Sequence, residues 1–127
     1  MSRVLPPSPV GSLFKQGGRV VERDYLAYVR DCPCLRCSQD PAGEAAHVRM
    51  AAAYLDKPVT GTGIKPSDEW ALPLCHACHM WQHSIGEKPF WESLGLDPLL
   101  IATALYKSRD DLRIMRNIVF TQREIRK

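Results

Sequence analysis

No stretch of this chain is long and apolar enough to span a bilayer. The longest apolar run, Leu99 to Tyr106, falls far short of the roughly 20 residues a spanning helix needs. No N-terminal segment has the charged start and apolar centre of a signal peptide. The expected location is therefore the cytoplasm, with no membrane partner. There the five cysteines stay reduced, which favours metal ligation over disulfide bonding. An excess of one charge is also lacking. Seventeen basic residues face fourteen acidic ones, for a net charge of +3 and a pI near 8.7. That balance permits a nucleic-acid partner without establishing one. Internal repeats are absent.

What is present fits one compact domain of 127 residues, 45% hydrophobic and 24% charged, ordinary values for a globular chain. A monomer is the default expectation. Residues 1–20 hold Pro6, Pro7, Pro9, Gly11, Gly17 and Gly18 and read as a flexible arm. Residues 21–127 read as the domain. Asp24 is placed to cap a short helix that Pro33 stops. Glu44 to Met50 and Trp70 to Leu74 read as two strands, separated by a breaker-rich loop from Pro58 to Gly63. Cys75 opens a helix that Gly86 ends. Further helices are expected over Lys88 to Leu94, from Pro98 to about Tyr106, and from Asp110 or Asp111 toward Ile125.

Cys34-x-x-Cys37 and Cys75-x-x-Cys78 form a pair of knuckles. Two residues between cysteines let both thiolates point at one ion from a tight turn, and two such turns complete a tetrahedral zinc site. A closed site of four cysteines is structural. The plain alternative is a set of buried free cysteines. Cys32 is left over and reads as a bystander.

Of the four histidines, His79 and His83 lie four apart on the expected helix, hence on one face, about 5–6 Å apart at Cβ. They suit one cation, or they are simply exposed helix residues. His76, inside the knuckle, reads as solvent-facing. His47 follows two alanines in Glu44-Ala-Ala-His-Val-Arg49. Small neighbours leave room for substrate, and a histidine serves as general base near neutral pH. A satisfied core histidine is the alternative.

Taken together, Ala46-His-Val-Arg49, Gly61-Thr-Gly-Ile-Lys-Pro-Ser-Asp68, Pro73-Leu-Cys-His-Ala-Cys-His79 and His83-Ser-Ile-Gly-Glu87 with Phe90-Trp91 resemble the HNH (ββα-metal) endonucleases. The likeness is to a phage and prophage branch similar to the RecA-dependent Ref nuclease group, and it covers about Tyr25 to Gly95. It implies an α+β fold: a small ββα-metal core at about 25–95 with the four-cysteine zinc knuckles, flanked by added helices, including C-terminal ones at about 97–126. It implies DNA phosphodiester hydrolysis, with His47 as base and His79 and His83 as ligands of a catalytic divalent ion. Many relatives orient the base through an Asn before the second knuckle; here Asp68 is in that region. Many also carry a ligand directly before the base, where this chain has Ala46. Mg²⁺ or Mn²⁺ is then the first expectation for the catalytic ion, with Zn²⁺ and Ni²⁺ open. A bacterial host, phage or prophage origin and a recombinase filament as partner follow by analogy alone.

For holding DNA, Arg49 is expected on the His47 face of the strand, and Lys65 in the loop is a second candidate. Either gripping a phosphate or pairing on the surface suits Arg49. Arg109, Arg113, Arg116 and Arg123 make a basic stripe on the last helix, with Arg113 and Arg116 as the chief candidates for backbone contact. A solvated face is the alternative. Leu112, Met115 and Val119 fall on another face, suited to packing, and Phe90 and Trp91 read as core. The competing functional class is a zinc-stabilised nucleic-acid-binding module without catalysis.

Overall fold

The computed structural model describes residues 15–16, 19–20, 22–50 and 67–126. Lys65, the Pro58–Gly63 loop and most of the segment read as an arm lie outside the described residues. Within that segment two short strands, β1 (Lys15–Gln16) and β2 (Arg19–Val20), pair antiparallel.

Helix α1 (Arg23–Asp31) turns Tyr25, Leu26 and Val29 inward at i, i+1 and i+4, the spacing of one apolar face. Its N-cap is Glu22, and Asp24, the expected cap, lies in the first turn instead. The helix ends at Cys32, where Pro33 supplies no N–H to continue it. A turn through the first knuckle leads to strand β3 (Glu44–His47), which pairs antiparallel with β4 (Ala71–Leu74). The register sets Glu44 opposite Leu74 and His47 opposite Ala71. Both strands are shorter than expected. Trp70 belongs to a 3₁₀ turn over Asp68–Trp70, although the Val48 N–H still reaches its carbonyl at 3.0 Å.

Helix α2 (His76–Ile85) follows β4 through Cys75, whose sulfur accepts the Cys78 N–H and so caps the helix. Gly86 ends it at φ +96°, a conformation side chains avoid. That kink sends helix α3 (Glu87–Leu94) off in a new direction, and Gly95 closes it in the left-handed region. Helix α4 (Pro98–Lys107) has Pro98 in its first turn and Asp97 as cap, with the Leu99 N–H on Asp97 Oδ1 at 3.0 Å. Helix α5 (Leu112–Arg126) begins after Asp111, which accepts the Ile114 N–H at 3.2 Å.

The fold is α+β: among the described residues, five helices accompany the β3–β4 pair. The core runs from Val29 and Leu35 through Leu72 and Leu74 to Phe90, Trp91, Leu105, Met115 and Val119, all essentially inaccessible. Phe90 and Trp91 meet edge to face, with ring centroids 5.0 Å apart. Burial of Met115 and Val119 fits the packing face expected for the last helix. Among the described residues, no helix is long and apolar enough to cross a membrane.

Candidate metal and histidine site

The two knuckles meet. Cys34, Cys37, Cys75 and Cys78 place their sulfurs within 4.8 Å of one another, a set able to hold a metal ion such as zinc. Among the described residues, they are the group of three or more His, Cys, Asp or Glu donors gathered this closely. Local geometry builds the cluster. Cys34 Sγ accepts the N–H groups of Arg36 and Cys37 at 3.4 and 3.5 Å, and Cys75 Sγ accepts the N–H of Cys78 at 3.4 Å. The Arg36 guanidinium reaches Cys78 Sγ at 3.5 Å. Burial pushes the Cys78 thiol up to about 12. Cys75 is lowered despite burial, by the Cys78 N–H and the neighbouring thiols. Four sulfurs this close together suit a cation that takes all of them as thiolates. Cys32 lies outside the set, buried in the core, where burial raises its thiol to about 12.

Two carboxylates hold three of the four histidines. His47, at the end of β3, sets Nε2 against Asp68 Oδ1 at 2.9 Å; the His47 side chain is 13% exposed and that of Asp68 1%. The other Asp68 oxygen accepts the Glu22 N–H at 2.8 Å, so the carboxylate is pinned from both sides. Asp68 thus stands beside the histidine that the resemblance pairs it with, 21 residues away in sequence.

At the opposite end of β3, Glu44 faces α2. Its Oε1 lies 2.8 Å from His79 Nδ1 and its Oε2 2.8 Å from His76 Nδ1. The rings of His79 and His83 stand 4.7 Å apart between centroids and 30° from parallel, as the four-residue spacing predicts. His76 does face solvent, 75% exposed in its side chain, yet it is bonded to Glu44. Hydrogen bonds from His79, then from His76, hold the Glu44 carboxyl below its ordinary range.

A third carboxylate, Glu87 at the start of α3, accepts the N–H groups of Arg49 and Met50 at 2.7 and 3.1 Å. The stretch from α2 into α3 is therefore tied to the β3 segment at two points: His76 and His79 to Glu44, and Glu87 to the residues just past His47. His83 lies on the length of helix between these ties. Neither Glu44 nor Glu87 was expected as a site residue. Their partners are 32 to 38 residues distant, and local spacing does not encode such pairings. The only sequence signals were an acid opening the strand that carries His47 and the glutamate ending the His83-to-Glu87 motif.

The candidates for holding nucleic acid fare unevenly. The strand ends at His47, two residues short of Arg49, which is exposed and anchored through its backbone. Arg116 is engaged within the chain. Its Nη1 donates to Asp40 Oδ1 at 2.9 Å and to the Asp31 carbonyl at 2.6 Å. Arg109 lies over the Tyr106 ring, 4.4 Å from its centroid, and donates to the Tyr106 carbonyl. The stripe is thus partly consumed by the fold. Arg113 is exposed, on a helix that packs against α1 and α4. The Arg123 side chain lies outside the described residues.

Comparison with protein-family models, with curated proteins and with solved structures finds no match for this chain. The functional reading therefore rests on the residues and their geometry.

Proposed function

We propose that this protein is a metal-dependent endonuclease of the HNH type, with a structural zinc ion in the four-cysteine cluster and DNA as substrate. The single observation that carries this reading is the His47–Asp68 pair. A nearly inaccessible carboxylate 2.9 Å from one nitrogen of a slightly exposed imidazole is the arrangement of an oriented general base.

The chemistry follows from that pair. Asp68 accepts the proton on Nε2, so in the neutral ring Nδ1 carries the lone pair. As water attacks the phosphorus, its proton passes to Nδ1. The 3′ oxygen departs with the electron pair of the broken P–O bond. Asp68 stabilises the imidazolium so formed, in surroundings where water screens little. His79 and His83 are the residues suited to hold a divalent ion: two imidazoles one helical turn apart, on the helix bonded to β3 through Glu44. Such an ion supplies Lewis-acid stabilisation of charge on the phosphate and leaving oxygen. Arg49 and Arg113, both exposed, are candidates for phosphate contact. Lys65 is proposed for the same role from sequence alone.

Nicking of supercoiled plasmid in Mg²⁺ or Mn²⁺ tests the reading. His47→Ala is expected to lower cutting by at least about 10²–10⁴-fold, with zinc content and fold retained. Undiminished cutting by that variant refutes the base assignment. Metal-independent DNA binding with no cutting by the wild-type chain favours the non-catalytic module instead.

A further inference from the structure

A histidine can offer a cation either of its ring nitrogens, and which one it offers depends on where its proton sits. For His79 a neighbouring group decides. Glu44, as a carboxylate, only accepts hydrogen bonds. At 2.8 Å from Nδ1, it requires that nitrogen to be the donor. The lone pair of neutral His79 is then confined to Nε2. The same carboxylate takes the Nδ1 proton of His76 on its other oxygen, which fixes its plane. One oxygen per imidazole leaves Glu44 little freedom to turn away. A ligating imidazole whose other N–H is held by a carboxylate is pre-set in tautomer and ring angle, and is the more basic ligand for it.

We propose that Glu44 is a positioning residue that sets His79 in the Nδ1–H tautomer and presents its Nε2, beside the His83 ring, to a divalent cation. The cation half of this proposal rests on the nuclease reading above; the tautomer half does not. His76 serves as a brace on the carboxylate and needs no ligand role.

The tautomer is read directly by long-range ¹H–¹⁵N NMR of the zinc-loaded full chain, with the imidazoles in their neutral form. Wild type is expected to show His79 protonated on Nδ1. Glu44→Ala is expected to move that proton to Nε2 and to weaken Mn²⁺ binding, followed by electron paramagnetic resonance, by about 10–100-fold. Mn²⁺ suits the measurement because it prefers nitrogen and oxygen donors to the thiolate cluster. Glu44→Gln keeps a carbonyl that accepts from Nδ1–H, so it is expected to restore the tautomer and part of the affinity. That rescue separates positioning from a loss of fold. An unchanged His79 tautomer in Glu44→Ala overturns the proposal. Equal Mn²⁺ affinity in wild type and His83→Ala overturns the cation half together with the nuclease reading, whatever the tautomer shows.

Discussion

One helix carries both candidate metal sites, and they are built by opposite means. At the start of α2, Cys75 and Cys78 meet Cys34 and Cys37 with all four sulfurs already converged. Farther along, His79 is held by a glutamate on β3 and His83 stacks beside it. Each knuckle is a local turn whose backbone N–H groups aim the sulfurs. On the histidine side, local structure supplies only the spacing between rings, and their orientation is borrowed from acids on other elements. A closed site can be specified by its ligands alone. An open one, which must leave room for substrate, is specified by what stands behind the ligands.

Four variants break or sharpen that contrast. Cys78→Ser strikes the closed site and should have the largest effect. A structural zinc contributes about 10–16 kcal/mol, comparable to the stability of a whole domain. Loss of bound zinc and of cooperative thermal unfolding is expected. A folded, zinc-replete variant would refute a structural role.

Asp68→Asn strikes the open site from behind. An Asn amide turned toward His47 donates where Asp68 accepted, shifting the lone pair of His47 to Nε2. Plasmid cutting should fall by roughly 10²–10⁴-fold while zinc content and melting temperature stay near wild type. Proportional loss of zinc and activity would mean that the two sites are not separable.

Glu87→Ala removes the acceptor for two backbone N–H groups just past His47. The contact is partly solvated, so about 1 kcal/mol of stability is expected to go, measured by urea unfolding. Cutting should drop more than that stability loss explains. If activity is unchanged, the tie between helix and strand does not matter to the base.

Arg116→Ala should have the smallest effect. Arg116 holds the Asp40 carboxyl below its ordinary range, and a carboxyl lowered by folding contributes stability only where it is ionised. The variant should be slightly less stable than wild type at neutral pH. That gap should close as pH falls below about 4. Thermal melts across pH check this, and a gap that widens in acid contradicts the pairing.

The same contrast explains what could be read from the chain. Helix ends were legible where a residue type forces them: Gly86, Gly95, Pro98. The cysteine cluster was legible because knuckle spacing is itself the geometry. Asp68 was legible only through resemblance, since it stands 21 residues from His47 and no local spacing links the two. Glu44, Glu87 and the Asp40 partner of Arg116 were not legible. Each is a carboxylate meeting its partner across 32 to 76 residues, and only the packing of α2, α3 and α5 brings them together. Arg49 lies two residues past the end of the strand, so strand alternation alone does not fix the face on which its side chain stands.

The most direct test of the account is an anomalous-scattering crystal structure of the zinc-loaded chain soaked in Mn²⁺. The prediction is one zinc peak among the four sulfurs and one manganese peak on His79 Nε2 and His83, with the His47 ring facing the second. A manganese site elsewhere, or a His47 ring turned away from it, would contradict the account.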